Sequence, residues 1–226
     1  MIKNKKFLIT GHTSGLGRSL NKILLENKNT IIGISKSKSK IRNFIDLQVD
    51  FSNLKILNNK LNKLNKINKI DYLILNAGLL GDLNLFSKVN FKKFERILNV
   101  NFLSNKIIID YFLSKNVKIK NVICISSGAA LKPKYAWGSY CISKAALASF
   151  TKCLREEERA NSIRACTITL GAVNTPLWDS EDVASDFNRN AMLTSDSVSN
   201  TILYIAEQPH TQLIEDLILM PATGAF

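Results

Sequence analysis

The sequence predicts a three-layer α/β/α sandwich built around a seven-stranded, mainly parallel sheet. Two observations predict it. Short apolar runs alternate with longer segments that carry apolar residues at helical spacing, and the first run leads directly into a glycine-rich turn before a helix. This alternation is typical of βαβ units, whose strands are parallel. The chain of 226 residues is long enough to bury one continuous core, so we expect a single domain over 1–226.

Each element follows from its own pattern. Short runs rich in apolar and β-branched residues predict strands at 6–10, 30–35, 46–50, 71–78, 121–127, 164–170 and 213–220. Apolar residues at helical spacing predict helices at 17–28, 53–66, 91–115, 138–158 and 195–207. The Asn- and Lys-rich stretch 58–69 is interpreted as the solvated face of a helix rather than as a disordered segment.

The composition argues against several classes of protein. No apolar run is long enough to span a bilayer, and the N-terminal apolar run is far too short for a signal peptide. We therefore expect a cytoplasmic protein with no membrane partner. The net charge of +13 raises nucleic-acid binding as an alternative, but the lysines are interleaved with Asn and Ile and form no recognisable binding motif. We expect no nucleic-acid partner.

The cysteines and histidines predict neither disulfides nor a metal site. No Cys-x-x-Cys pair occurs, and all four cysteines fall in apolar or helical runs, which favours buried, reduced thiols at Cys124, Cys141, Cys153 and Cys166. His12 and His210 lie far apart, and neither has a cysteine or carboxylate at ligand spacing beside it. We therefore expect no bound metal.

The glycine-rich turn is the first candidate binding feature. The first strand runs into TGHTSGLG, residues 10–17, and a helix follows. Glycines there let the backbone turn tightly and approach a pyrophosphate, while the helix N-terminus offers free amide donors and a favourable dipole. The spacing is Gly-x-x-x-Gly-x-Gly and not Gly-x-Gly-x-x-Gly, and a purely structural turn is the alternative.

Five motifs in order resemble the classical short-chain dehydrogenase/reductase family: residues 10–17, Asn76-Ala77-Gly78, Asn99-Val100-Asn101, Ser127 and Tyr140-x-x-x-Lys144. The match covers nearly the entire chain, and residues 126–147 look most similar to the sepiapterin reductase and benzil reductase branch. The resemblance implies a Rossmann-type fold and an NAD(P)-dependent oxidoreductase that reduces a small carbonyl compound. It also implies a homodimer or homotetramer that pairs through the helices at 91–115 and 138–158.

The resemblance implies a catalytic site of Ser127, Tyr140, Lys144 and Asn101. Tyr140 would donate a proton to the carbonyl oxygen, Ser127 would hydrogen-bond that oxygen, and Lys144 would hold the nicotinamide ribose. Asn101 would hold a water that relays protons to Lys144. Tyr140 and Lys144 are one helical turn apart, so they share a helix face, and an ammonium there is expected to lower the tyrosine pKa.

Three neighbouring residues need separate consideration beside the candidate site. Ser126 alternates to the opposite side of the strand from Ser127. Tyr135 has Ser139, not a lysine, four residues further on. Trp137 fits either core packing or a substrate wall, and the sequence leaves both interpretations open.

Cofactor contacts are implied by resemblance at Gly11, Thr13, Ser14, Gly15, Leu16, Gly17, Ser35, Lys36, Asp50, Phe51, Asn76, Ala77, Gly78, Tyr140, Lys144, Val173 and Thr175. Members that prefer NAD place an acidic residue at the end of the second strand. Here Ser35 takes that place and Lys36 follows, a pair that the family often uses to hold the 2′-phosphate of NADP. We expect NADP(H), with NAD(H) as the alternative if Lys36 is only one more surface lysine.

Two features after the sixth predicted strand concern the part of the site that would bind the substrate. The family's Pro-Gly appears here as Leu170-Gly171, which puts the rigidity of the following loop in doubt. Residues 176–193 lie where the family keeps its substrate lid. The acidic half of this segment argues against an anionic substrate unless those charges face water.

Two other functions compete with a carbonyl reductase. A catalytically idle dinucleotide-binding sensor or scaffold should have lost the tyrosine or the lysine, and this chain keeps both. A sugar-nucleotide epimerase needs a different glycine spacing and a larger C-terminal region. The identity of the substrate does not follow from one sequence, because it depends on the shape of the pocket.

Overall fold

The fold is a parallel sheet with helices on both faces, seen in a computed structural model that describes residues 2–39, 45–179 and 188–224. The strands are β1 Lys6–Thr10, β2 Thr30–Ser35, β3 Ile45–Gln48, β4 Lys69–Leu75, β5 Lys118–Ser127, β6 Arg164–Leu170 and β7 Asp216–Leu219. Their order is β3-β2-β1-β4-β5-β6-β7, and all six pairings are parallel. The predicted seven-stranded Rossmann-type α/β/α fold is confirmed.

The helices are α1 Gly15–Glu26, α2 Leu54–Leu61, α3 Phe91–Leu98, α4 Ser104–Ser114, α5 Gly138–Glu157 and α6 Ser195–Ala206. The helix predicted at 91–115 is divided, because a π-helical turn, Asn99–Leu103, separates α3 from α4. Short polar side chains cap three of the helices: Asn53 accepts a hydrogen bond from the Ile56 amide, Asn90 accepts one from the Lys92 amide, and Thr194 accepts one from the Ser197 amide.

The apolar core lies on both faces of the sheet. Successive side chains of a strand point to opposite faces. Leu8 therefore packs with the residues of α2, α4 and α5, whereas Phe7 and Ile9 pack with those of α1 and α6. All three are fully buried, and burial of a side chain of this size contributes roughly 1.5–3 kcal/mol. Burial on both faces explains why the central strands read as continuous apolar runs rather than as alternating ones.

The strand order changes direction between β1 and β4, and a crevice opens at the carboxyl ends of strands at such a point. Thr10 ties the two strand ends together here. Its Oγ1 accepts hydrogen bonds from the amides of Asn76 and Ala77, each at 3.0 Å. In return, the Asn76 side-chain amide donates to the Thr10 carbonyl at 3.1 Å. The end of β4 is thereby held against the glycine-rich turn.

The four thiols are unpaired, but one expectation about them is wrong. Cys124, Cys141 and Cys166 are buried, whereas Cys153 is exposed because it lies on the outer face of α5. Within the described segments, no helix is both long and apolar enough to cross a membrane.

Candidate active site

The glycine-rich turn leaves no room for side chains at two of its glycines. Gly11 has a φ of +69°, and a Cβ there would lie 2.9 Å from the Ala77 Cα. A Cβ on Gly17 would overlap the Gly11 carbonyl oxygen. Gly15, at φ +47°, begins α1, and a Cβ there would lie 3.1 Å from the Thr175 side chain. The turn therefore presents bare backbone at a helix N-terminus, facing the loop after β6.

A cavity of about 540 Å³ opens beside this turn at the carboxyl ends of the strands. It brings together most of the residues singled out from the sequence: Gly11, Ser14, Gly15, Leu16, Asn76, Ala77, Gly78, Ser127, Tyr140, Lys144, Val173 and Thr175. Residues from the two ends of the chain thus share one wall with the serine, tyrosine and lysine. The remaining candidates lie outside the cavity lining: Thr13, Gly17, Ser35, Lys36, Asp50, Phe51 and Asn101.

Ser127 and Tyr140 form the polar centre of this cavity. Ser127 ends β5, and its side chain lines the cavity together with Tyr140. The Ser127 hydroxyl oxygen also accepts a bond from the Ala129 amide at 3.3 Å, which fixes its position. Tyr140 is only 7% exposed, and this burial raises its pKa to about 12, while Ser127 acts in the opposite direction. The phenol is therefore protonated at neutral pH.

Lys144 lies one turn after Tyr140 on α5 and is also buried. Its ammonium donates to the Ile125 carbonyl at 2.9 Å and lies 5.9 Å from the centre of the Tyr140 ring. Burial lowers the pKa of Lys144 to about 8. The expectation that this ammonium lowers the Tyr140 pKa is wrong for this structure, because burial raises that pKa and the opposing contribution comes from Ser127.

Ser126, which also lines the cavity, and Tyr135 are the alternatives to the candidate serine and tyrosine, and they differ from them in contacts or exposure. The Ser126 hydroxyl donates to the Lys144 backbone carbonyl at 3.2 Å, so it anchors α5 to β5. Tyr135 is 84% exposed.

Asn101 is completely buried in the π-helical turn, and its side chain is engaged with protein atoms. The amide nitrogen donates to the Leu79 carbonyl and to the Ser143 hydroxyl, both at 2.9 Å, and the amide oxygen accepts from the Leu79 amide at 2.8 Å. Asn101 lies next to Lys144, because a Cβ on Gly78 would come within 3.4 Å of both side chains. These bonds hold the segment after Gly78 in place. π-Helical turns that interrupt an α-helix occur frequently at functional sites.

The residues after β2 and β3 form a separate polar group at the adenosine end implied by the resemblance. Lys36 pairs with Asp50, with 3.3 Å between Nζ and Oδ2, and both side chains are exposed. Burial alone would raise the Asp50 pKa, but hydrogen bonds from Ser52 and the Lys36 ammonium together hold it below its usual value. Ser35 is buried and donates to the Ser37 carbonyl at 2.6 Å. Phe51 belongs to the apolar core.

His12 has a structural place that the sequence did not suggest. The imidazole is buried against Gly33 on β2, where no Cβ could fit beside it. Its Nε2 lies 3.4 Å from the Asp46 carboxylate. Burial lowers the His12 pKa, while Asp46 and the Ile34 backbone oppose that shift. His12 therefore packs the glycine-rich turn against β2 and β3. No cluster of metal-ligating side chains occurs in the part of the chain that the structure describes.

Two tryptophans form the apolar end of the cavity. Trp137 stands edge-on to Tyr140 with 6.0 Å between the ring centres, and Trp178 lies 6.0 Å from Trp137. The Trp178 indole donates to the Val173 carbonyl at 2.9 Å. Trp137 packs against the buried cluster around Tyr140 and also lines the cavity, so it forms a wall of the pocket.

Arg189 holds the loop after β6 and was not singled out from the sequence. Its guanidinium donates to the Asn174 side chain at 2.9 Å, to the Thr175 carbonyl at 2.8 Å and to the Asp179 carboxylate at 2.9 Å. These contacts join the two described parts of the predicted lid, 176–179 and 188–193. The rest of the lid, 180–187, lies outside the described residues. The sequence gives no sign of these contacts, because Arg189 is 14 residues from Thr175.

Comparison with known proteins gives consistent similarities. A family model described as short chain dehydrogenase matches residues 5–185. The chain is 32% identical to a benzil reductase ((S)-benzoin forming) of Bacillus cereus, over 67% of this chain and 68% of that protein. It is 28% identical to an NADP-dependent 3-hydroxy acid dehydrogenase of Schizosaccharomyces pombe, over 98% and 94% of the two chains. A short chain dehydrogenase family protein from Francisella tularensis has a similar fold, with a TM-score of 0.85, 20% identity and coverage of 96% and 98%.

Proposed function

The chain belongs to the short-chain dehydrogenase family and is an NAD(P)-dependent oxidoreductase, and from this we propose that it uses NADPH to reduce a small carbonyl compound to an alcohol. The observation that carries this proposal is that Ser127, Tyr140 and Lys144 line one cavity that also contains the bare glycine turn. A proton donor and a second hydrogen-bonding group thus meet at one point, beside a surface that suits a pyrophosphate.

The residues of the cavity fit a nicotinamide dinucleotide. The backbone at Gly11 and Gly17 is bare, and any side chain there would collide with its neighbours. Gly78 likewise leaves the space beside the Lys144 ammonium free of a side chain. We assign Ser14, Gly15 and Leu16 to the pyrophosphate, Asn76-Ala77-Gly78 and Lys144 to the ribose on the nicotinamide side, and Val173 and Thr175 to the nicotinamide amide. The bound nicotinamide supplies the hydride, which carries two electrons to the carbonyl carbon.

Tyr140 acts as the acid in this mechanism. Because its pKa is raised to about 12, the hydroxyl keeps its proton at neutral pH and can donate it to the carbonyl oxygen as the carbon accepts hydride. The Ser127 hydroxyl hydrogen-bonds the same oxygen and stabilises its developing negative charge. Lys144, with a pKa of about 8, is charged at neutral pH and stabilises the phenolate that remains.

For Asn101 we propose a positioning role. Its bonds to Leu79 hold the Gly78 backbone beside Lys144. The water that the resemblance places at Asn101 would then contact the backbone of this turn, because the Asn101 side chain already has protein partners for both its nitrogen and its oxygen.

For the cofactor, we propose a preference for NADPH over NADH. No acid takes the place of Ser35 at the end of β2, and Lys36 follows it at the surface. The ion pair between Lys36 and Asp50 is exposed, so it contributes at most about 1 kcal/mol and yields readily to a doubly charged phosphate. The Schizosaccharomyces pombe relative is named for NADP, which agrees with this preference.

We also propose that the chain is one domain over 1–226, that it acts in the cytoplasm, and that 176–193 closes over the substrate. Pairing through α3, α4 and α5, the helices of 91–115 and 138–158, into a homodimer or homotetramer fits the exposed Ile142 on α5, which is 43% accessible. Light scattering at micromolar concentration tests the assembly: a monomer alone would contradict it.

The relatives leave the substrate open. One is named for benzil and another for 3-hydroxy acids, so their names differ in whether the substrate carries an acid group. The catalytically idle sensor or scaffold is not favoured, because Ser127, Tyr140 and Lys144 all line one cavity.

The purified protein, mixed with NADPH and a panel of aldehydes, ketones and diketones, tests the proposed function. Absorbance at the nicotinamide band should fall with at least one carbonyl compound and not in its absence. NADPH that binds, as seen by fluorescence titration, but is never oxidised by any member of the panel would instead support the idle module.

A further inference from the structure

The substrate end of the cavity has an unbalanced charge. Among the described residues that line the cavity, the charged ones are Lys132, Lys134 and Lys144, and none is an acid. Lys144 belongs to the catalytic group, whereas the other two lie on the loop between β5 and α5. We propose that the substrate carries an anionic group of the carboxylate class, which Lys134 binds. This inference rests on the proposed carbonyl reduction and specifies its substrate.

Lys134 has the environment of a cation that can bind a ligand. It is half-buried, and its ammonium lies 5.2 Å from the centre of the Trp137 ring. Partial burial lowers its pKa, and within residues 2–39, 45–179 and 188–224 no carboxylate forms an ion pair with it. A partly desolvated cation is stabilised when an anion reaches it. Lys132 is exposed at the rim of the cavity, where its charge attracts anions over a longer range.

The position of Lys134 sets where the anion lies in the substrate. Trp137 contacts both groups, since the Lys134 ammonium lies 5.2 Å from the centre of its ring and the centre of the Tyr140 ring lies 6.0 Å from the same point. A substrate whose carbonyl reaches Tyr140 is therefore expected to carry its anion at the other end of a body about as wide as one aromatic ring.

The body between the two groups is expected to be apolar and flat. Trp137 and Trp178 form adjacent walls with 6.0 Å between their centres, Leu177 packs with the same cluster, and Leu131 and Met220 also line the cavity. Aromatic side chains of this kind favour a planar apolar ligand, on which they can pack.

The acidic character of 176–193 does not oppose this inference as far as the segment is described. Asp179 pairs with Arg189 at 2.9 Å and does not line the cavity, so its charge is compensated away from the substrate. The expectation from the sequence that this segment disfavours an anion therefore does not apply to Asp179. Its other acids lie within 180–187, outside the described residues.

A matched pair of aldehydes tests the inference: 4-formylbenzoate, with its carboxylate across the ring from the carbonyl, and its neutral methyl ester. We would measure kcat/KM for both with saturating NADPH in the wild type, in Lys134→Met and in Lys152→Met. Lys152 is an exposed lysine of α5 that does not line the cavity, so its variant controls for loss of one charge. Comparison of the acid-to-ester ratio of kcat/KM between variants cancels the different intrinsic reactivity of the two aldehydes.

Lys134→Met should lower the acid-to-ester ratio about fivefold to tenfold, mainly through KM, which is the range for a half-exposed charged hydrogen bond. Lys152→Met should leave the ratio within about twofold. Added salt should lower the ratio in the wild type more than in Lys134→Met, because salt screens the attraction. Lys134→Gln, which keeps a polar side chain, should behave like Lys134→Met.

An unchanged ratio in Lys134→Met, with both aldehydes still reduced, would overturn the inference and leave the proposed function intact. An equal loss for acid and ester would also overturn it, and would indicate that Lys134 stabilises the loop between β5 and α5 instead. If neither aldehyde nor any other carbonyl compound oxidises NADPH, the proposed function itself fails.

Discussion

Replacement of Lys144 by methionine should stabilise the cofactor-free protein at pH 7 while abolishing its activity. Burial lowers the Lys144 pKa from 10.5 to about 8, which corresponds to about 3 kcal/mol of unfavourable free energy for the charged form in the folded state. Methionine has a similar length and no charge. It leaves the Ile125 carbonyl without its donor, a loss of about 1 kcal/mol. The variant should therefore be more stable by about 2 kcal/mol.

The pH dependence of this difference has a definite sign. Below pH 8 the lysine is protonated in both the folded and the unfolded state, so the wild type bears the full penalty. Between pH 8 and 10.5 the folded wild type releases the proton and the unfolded chain keeps it, so the wild type gains stability with rising pH relative to the variant. The difference in the free energy of unfolding between Lys144→Met and the wild type should be largest at pH 7 and close to zero at pH 9.5.

Urea denaturation of the wild type, Lys144→Met and the exposed control Lys152→Met at pH 7 and pH 9.5 measures both effects. Lys152→Met should show no change in its difference from the wild type between the two pH values. A Lys144→Met protein that is less stable than the wild type at pH 7 would refute the reasoning. So would a stability difference that is the same at both pH values.

Three further variants test the cofactor site. Lys36→Ala should weaken the binding of NADPH about tenfold and leave the binding of NADH almost unchanged in fluorescence titrations, because only NADPH presents a 2′-phosphate to this ammonium. Equal losses of affinity for both cofactors, or a wild type that prefers NADH, would contradict the assignment of Lys36. Arg189→Ala should raise the KM for NADPH and speed proteolytic cleavage in 174–179, because three hydrogen bonds to this loop are lost. An unchanged KM together with an unchanged cleavage rate would show that Arg189 does not position this loop. Gly17→Ala should reduce NADPH affinity at least tenfold, since its Cβ would overlap the Gly11 carbonyl and displace the turn; calorimetric titration showing wild-type affinity would disprove that geometry.

The strands were predictable because parallel strands buried on both faces appear as short apolar runs between turns. The bounds of β2 and β6 agree with the predicted ones, since a lysine, Lys36, follows the first and a glycine, Gly171, follows the second. The break in the helix predicted at 91–115 was not predictable. Apolar residues continue at helical spacing through Asn99–Leu103, and a π-helical turn changes that spacing by only one residue.

The site was predictable where one element carries its residues and not where distant segments meet. Tyr140 and Lys144 share a helix face by spacing alone, but the depth of their burial, which sets both pKa values, depends on the packing of the whole cavity. The contacts of Arg189 and the approach of Gly15 to Thr175 join segments that are separate in sequence. No local pattern indicates such contacts.

The most direct test of the proposed mechanism is the turnover of Tyr140→Phe, measured beside Tyr135→Phe. Tyr135 lies on the loop just before α5 and is 84% exposed, so its variant removes a hydroxyl group without changing the buried site. Tyr140→Phe should bind NADPH with nearly wild-type affinity and lose turnover by about a hundredfold or more, the usual range for a positioned proton donor, whereas Tyr135→Phe should stay within about twofold of the wild type. Substantial turnover retained by Tyr140→Phe, with NADPH still bound, would contradict the role of Tyr140 as the proton donor.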